Sequence, residues 1–300
     1  MRIDERIAAG GEPSFSFEFF PPKTPEGEAN LERALAELSR LEPAFVSVTY
    51  GAAGSVEQRE KTIEIVTRIK SDHGMEAMAH FTCVNSTVAE LRAMLDHMRD
   101  AGIENVLALR GDPPPGAERW TATEGGLTYS RELIELIRDG YDFTVGAACF
   151  PEVHVHAESA ESDLRYAREK VEAGARFLIT QLFFDNAAYY DFVARARDVG
   201  IDVPIIPGIM PITNVAQIER FTALCGACIP ERLHRELTVR ADQPDAVADF
   251  GVAYATLQCA DLLAHGAPGI HFYTLNRSPA TRAILSALRA LVPWQGGVLA

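Results

Sequence analysis

The sequence predicts an α/β fold, a (β/α)8 TIM barrel of one domain with extra helices before its last strand. Three observations predict it. Short apolar, β-rich runs alternate with amphipathic helical patterns from end to end, which is the mark of parallel βαβ construction. Eight such runs occur, and they recur about every 30 residues, as expected of a barrel of about 250 residues in eight units.

The runs span residues 15–20, 45–50, 76–83, 105–109, 143–150, 177–183, 203–209 and 269–275. Between them the helical period is plain: Leu31, Leu35, Leu38 and Leu41 share one face, and Val88, Leu91, Leu95 and Met98 another. Helix starts carry side-chain acceptors for orphan amides, with Ser55 ahead of Gln58 and Thr87 ahead of Glu90. Ser278 precedes Pro279 at a first helical position. The last interval is about twice the others and holds two helical patterns, near 214–224 and 246–263, so a helical excursion is more economical than a ninth strand. No Pro, Gly or Ser-rich linker divides the chain, so residues 1–300 read as one catalytic barrel domain with no regulatory domain. A doubly wound open sheet is the rival, but its Gly-rich first turn is replaced here by Phe19-Phe20-Pro21-Pro22.

Composition excludes several classes. A 47% hydrophobic and 23% charged chain is ordinary for a soluble globular protein, and it holds no run near the ~18–20 apolar residues of a membrane span. The first residues lack the apolar stretch of a signal peptide, so a cytoplasmic location is expected. Five cysteines point to reduced, packed thiols, and the lone Cys225/Cys228 pair reads as structural. A net charge of −14 disfavours nucleic acid, yet local arginines or helix N-termini can still hold small anions.

Chemistry in such a barrel sits at the carboxyl ends of the strands, so late polar residues in each run carry most weight. Glu18 interrupts Phe15, Phe17, Phe19 and Phe20; Thr49 closes the second run; His80 sits in the third; Arg110, Gly111 and Asp112 follow the fourth. Glu152 and His154 follow the fifth, Gln181 lies in the sixth, and Asn276 and Arg277 end the eighth. Burying Glu18 ionised would be costly, and a carboxyl with a raised pKa is a competent general acid. The alternative is a carboxylate at a solvated mouth or paired with a structural arginine. Asp112 has a similar alternative as a turn cap, and Thr49 and His80 as a backbone-bonded hydroxyl and a satisfied core histidine. Gln181, an amide in an apolar run, must find partners, and a substrate with an amide-like edge is one. Gly51, Gly54 and Gly111 flank strand ends where backbone could approach a ligand. His154 and His156 lack further ligands at metal spacing, so no metal site is expected.

Several strings together resemble the methylenetetrahydrofolate reductases in their short bacterial form: FSFEFFPPKT, FVSVTYGA, AHFTC, ALRGDPPPG, PEVH, AGARFLITQLFFD, IIPGIMP and IHFYTLNR. They occur in family order over nearly the whole chain. The resemblance implies noncovalent FAD across the barrel top, with NADH or NADPH and methylenetetrahydrofolate using the same flavin face in turn. It implies Glu18 as the general acid on a folate nitrogen and Asp112 as the carboxylate that binds the pterin and tunes the flavin. It implies substrate contacts at Gln181, Gln217, Phe221 and Arg277. Thr49, His80, Arg110, Gly111, Tyr129, Phe150, His154, Asp163 and Lys170 match flavin contacts. Phe150 stands where a tyrosine is usual, Tyr166 where a small amide is usual, and Glu169 where a basic residue is carried. The family also suggests association of barrels. Competing readings are a reductase passing hydride directly from nicotinamide to folate, a barrel lyase or aldolase using Glu18 and Asp112, and a noncatalytic folate binder.

Overall fold

The computed structural model of the protein describes residues 1–50, 56–111 and 122–296. All ladders are parallel. The strands are β1 (Ser14–Phe19), β2 (Phe45–Val48), β3 (Ala77–Thr82), β4 (Asn105–Leu109), β5 (Thr144–Cys149), β6 (Phe177–Thr180), β7 (Ile205–Ile206), β8 (Gly208–Ile209) and β9 (Gly269–Tyr273). The helices are α1 (Ile3–Ala8), α2 (Pro25–Leu38), α3 (Val56–His73), α4 (Val88–Asp100), α5 (Ser130–Gly140), α6 (Ala160–Ala173), α7 (Asn186–Asp198), α8 (Val215–Cys225), α9 (Glu231–Thr238), α10 (Pro244–Ala264) and α11 (Pro279–Leu291).

The sheet runs β7-β6-β5-β4-β3-β2-β1-β9-β8, so its two edges are β7 and β8, neighbours in sequence separated only by Pro207. They are one strand in two pieces. Ile205–Ile206 pairs with β6 and Gly208–Ile209 with β9, while the Pro207 carbonyl accepts from the His271 amide at 2.9 Å. Proline has no N–H to give a ladder, which accounts for the break. The eight predicted runs therefore become, among the described residues, nine short strands in a nearly closed barrel.

Sequence signals explain the local structure. Thr87 and Glu90 form the expected capping box, with the Glu90 amide donating to Thr87 Oγ1 at 3.3 Å and the Thr87 amide to Glu90 Oε2 at 2.8 Å. Ser278 departs from expectation: its hydroxyl donates to Glu37 instead of capping, and α11 relies on Pro279 in its first turn. Ser55 lies outside the described residues. Leu31, Leu35 and Leu38 are buried as expected, while Leu41 ends a following 3-10 turn. The excursion before the last strand holds three helices, α8, α9 and α10, where the sequence signalled two. α9 is only eight residues long, too short for its period to stand out.

Two packing layers position the site. The main core lies between strands and helices and includes Phe15, Phe17, Phe19, Phe81 and Phe272. A second cluster of Ile3, Phe45, Met78, Leu107, Phe177, Ile179 and Ile206 fills the barrel interior. There Gly146 leaves room for the Phe177 ring, which would lie 2.6 Å from any Cβ at that position. With the interior plugged by apolar side chains, its polar residues gather toward the other end. No described helix is long and apolar enough to cross a membrane.

Candidate active site at the strand C-termini

Strand alternation builds the first half of the site. Along β1, Phe15, Phe17 and Phe19 face the helices, which turns Ser16 and Glu18 inward. Along β9, Ile270 and Phe272 face outward and His271 inward. Ser16 is in register with His271, and Glu18 with Ser47 and Tyr273. Glu18 Oε2 lies 3.3 Å from His80 Nε2 and 3.5 Å from His271 Nε2. Two imidazoles, rather than a structural arginine, are thus its partners. The Glu18 side chain is 18% exposed, enough to meet a ligand at the mouth.

His80 is buried, and burial lowers its pKa despite the Glu18 charge, so the ring stays neutral. Its Nε2 finds no aligned hydrogen-bond partner. The Glu18 carbonyl accepts from the Thr274 amide (3.3 Å) and Thr274 Oγ1 (2.6 Å), tying β1 to the turn after β9. Asn276, left-handed at φ 56°, clasps Phe20 through both amide atoms, at 2.9 and 2.8 Å.

The second half gathers at the ends of β4 and β5 and on α6. The Val84 amide donates to the Arg110 carbonyl at 3.0 Å, and Gly111 follows at φ +91°. The His154 amide donates to Asp163 Oδ2 at 3.2 Å, and the Phe150 ring meets the His154 ring edge-on at 4.6 Å. Lys170 reaches in beside them, its Nζ donating to the Ala148 carbonyl at 2.8 Å and lying 5.8 Å from the Phe150 ring centroid. Burial pushes His154 down to about 4, with Arg110, His156 and Lys170 adding to the effect. Burial also lowers the Lys170 pKa and raises that of Asp163. A neutral imidazole beside two cations is an environment built to meet an anion.

Tyr129 and Tyr166 are exposed and stack at 6.5 Å with planes 15° apart, and the Arg165 guanidinium lies 5.2 Å from the Tyr166 ring. Glu169 is held by Arg131 at 3.7 Å and Arg165 at 3.8 Å, so local cations offset its reversed charge. An aromatic platform, a cationic pocket and a glycine at a strand end together suit a flavin dinucleotide.

A folded-state pKa below the unfolded value means that protonation opposes folding. The His154 contribution is therefore present above about 6.5 and is lost as pH falls toward about 4. His154→Gln is expected to flatten the decline of stability over that window by about 1 kcal/mol, well below the full shift because the ring is partly solvated. Denaturant unfolding at pH 7 and pH 4.5 measures it; equal declines in both proteins would refute the assignment.

The remaining candidates are more scattered. The Thr49 amide donates to the Phe19 carbonyl at 2.8 Å, and its own carbonyl accepts from Thr62 Oγ1 at 3.0 Å. Gln181 Oε1 accepts from the Leu182 amide at 2.9 Å, and its amide nitrogen has no partner among the described residues. Gln217 is exposed in the first turn of α8, held there by the Asn214 cap, and Phe221 lies one turn on against the cluster under the excursion. Arg277 is exposed just after β9. Asp112, Gly51 and Gly54 lie outside the described residues. Cys225 packs at the end of α8, and the Cys228 amide donates to Glu152 Oε2 at 3.2 Å.

The sequence reading missed His271, Ser16 and Ser47, all fully buried beneath Glu18. The signal was present: Ser16 is two residues from Glu18 and so shares its strand face. What was missing was the strand that faces it.

The family model described as methylenetetrahydrofolate reductase matches residues 2–289. The chain is 38% identical to methylenetetrahydrofolate reductase (NADH) 1 of Arabidopsis thaliana, over 98% of this chain and 53% of that protein. It is likewise 38% identical to the Zea mays enzyme of that name, over 96% and 51%. The chain thus spans about half the length of these plant relatives. It is 39% identical to Escherichia coli 5,10-methylenetetrahydrofolate reductase, over 93% of this chain and 91% of that one. Among solved structures, a Clostridium thermocellum protein that binds two copies of 5-methyl-5,6,7,8-tetrahydrofolic acid shares the fold, with a TM-score of 0.64 at 16% identity, over 98% and 99% of the two chains.

Proposed function

The chain belongs to the methylenetetrahydrofolate reductase family, and from that membership we propose that it reduces 5,10-methylenetetrahydrofolate to 5-methyltetrahydrofolate, using a nicotinamide nucleotide as donor and FAD as resident cofactor. The observation that carries the reading is Glu18, a carboxyl set between two imidazoles at the barrel mouth. FAD, once reduced by the nicotinamide nucleotide, would supply the hydride when bound. The chain supplies orientation, one proton and local electrostatics.

Apart from Asp112, the residues assigned to these roles are described residues. Glu18 gives its proton to a folate nitrogen as the methylene bridge opens, the O–H bond breaking and an N–H bond forming while the electron pair stays on the carboxylate. Gln181 offers its unpartnered amide N–H to the pterin. Gln217, Phe221 and Arg277 flank substrate from α8 and from the turn after β9. Arg110 and Lys170 meet the cofactor's phosphates, Gly111 lets backbone approach, and His154, Asp163 and Phe150 shape the pocket. Thr49, His80 and Tyr129 complete the flavin contacts, and Asp112, next after Gly111 in the sequence, is the carboxylate assigned to the pterin and the flavin ring. The plant relatives' names carry NADH, which supports NADH over NADPH as donor.

The purified protein is expected to be yellow, to bleach anaerobically with NADH, and to regain colour on adding methylenetetrahydrofolate. A colourless protein that nevertheless consumed NADH with the folate would overturn the flavin. One indifferent to NADH would overturn the reductase and favour a lyase.

A further inference from the structure

We propose that Ser16 and His271 form a positioning pair beneath Glu18 that delivers an N–H to the carboxylate left when Glu18 gives up its proton. The proposal rests on the reading of Glu18 as the acid. Ser16 and His271 come from adjacent strands and oppose each other in register, both fully buried. Ser16 Oγ lies 2.7 Å from His271 Nδ1. A buried hydroxyl hydrogen needs an acceptor, and among the described residues Nδ1 is the one Ser16 Oγ meets. With Nδ1 accepting, the ring proton sits on Nε2. That nitrogen is 3.5 Å from Glu18 Oε2 and 3.5 Å from Ser47 Oγ. Phe45 stacks on one side of the ring at 6.0 Å and Tyr273 meets it edge-on at 5.5 Å, so its aim is fixed by packing.

The geometry divides the carboxyl in two. Oε2 faces His80 and His271, which leaves Oε1 to carry the outgoing proton. Negative charge then develops over an atom 3.5 Å from a ring nitrogen whose hydrogen-bond contact is Ser47 Oγ, so little rearrangement is needed for that N–H to turn to the carboxylate during the step. The other titratable groups facing Glu18 among the described residues are His80 from β3 and Tyr273 from β9. Neither brings positive charge: burial keeps His80 neutral, and burial with the Glu18 charge lifts the Tyr273 phenol well above its ordinary range. His80 Nε2 lies 3.3 Å from the same oxygen, but it is on His271 that a partner, Ser16 Oγ at Nδ1, sets the tautomer that leaves an N–H facing the carboxylate. Reprotonation comes from water at the partly exposed mouth.

The test is Ser16→Ala, which frees the tautomer while keeping the ring. Reoxidation of the reduced enzyme by methylenetetrahydrofolate is followed by stopped flow across pH 6–9, with bleaching by NADH on the same sample as the folding control. A weaker donor makes the carboxylate a poorer leaving base. The plateau rate is expected to fall roughly 3–10-fold and the alkaline limb to move up by about half a pH unit or more. His271→Asn should give both effects more strongly. If it fails to fold, Ser16→Ala alone decides. An unmoved limb in yellow, NADH-reducible Ser16→Ala would overturn the proposal. So would a further rate loss on adding Ser16→Ala to Glu18→Gln, since the pair should act only through Glu18. A wild-type rate in Glu18→Gln would instead refute the acid itself.

Discussion

Glu18→Gln is expected to bind folate, to accept electrons from NADH at close to the normal rate, and to reduce methylenetetrahydrofolate roughly 10²–10⁴-fold more slowly. The exchange keeps shape and removes only the transferable proton. The glutamine amide can occupy the space between His80 and His271, so the fold should survive. Separating the two half-reactions is decisive. A loss confined to the folate step assigns a proton-transfer role, whereas equal losses in both steps would mean a disturbed flavin pocket. Folate reduction at the wild-type rate would remove Glu18 from the mechanism.

Gly111→Ala is expected to lose flavin and stability together. At φ +91° an alanine is strained, and its Cβ would lie 2.5 Å from Val84 Cγ1 and 3.2 Å from Thr82 Cβ. Left-handed strain of about 1–2 kcal/mol and overpacking of about 1–3 kcal/mol give about 2–5 kcal/mol in all. In a chain of this size that lowers the melting midpoint by roughly 3–8 °C. Val84 is also held through its carbonyl by the buried Arg59 guanidinium at 2.9 Å, so it cannot easily yield. The Arg110–Gly111 turn must move instead, and with it the cation beside His154. Calorimetry and the flavin-to-protein absorbance ratio check this. An alanine variant as stable and as yellow as the parent would mean the turn relaxes freely.

Much of the fold was legible because parallel strands covered on both faces leave unmistakable apolar runs, and their spacing fits only a few architectures. The break at Pro207 was in principle readable too, since proline cannot continue a ladder. The extra helix α9 was not, because its short apolar stripe of Leu233 and Leu237 completes a core only when Leu182, Phe184 and Met210 arrive from the strand ends.

The candidate site divides along the same line. Glu18 stood out in FSFEFF because a charge among phenylalanines conflicts with its surroundings, and such conflicts gather at functional sites. Arg110 and His154 follow strand ends and so could be marked in advance, whereas Lys170, in the last turn of α6, was marked only by the family resemblance; electrostatics joins the three across tens of residues. His271 could not. It reads as an ordinary core histidine in IHFYTLNR, and its contact with Ser16 spans 255 residues.

The sequence by itself determined the alternation, the count of runs and the polar residues at their ends, because all three depend on local period and on the cost of burying charge. Tertiary structure alone decided that β9 closes against β1, which places His271 beside Ser16 and puts two imidazoles on one oxygen of Glu18. Barrel closure is a long-range pairing, and no local propensity carries its register.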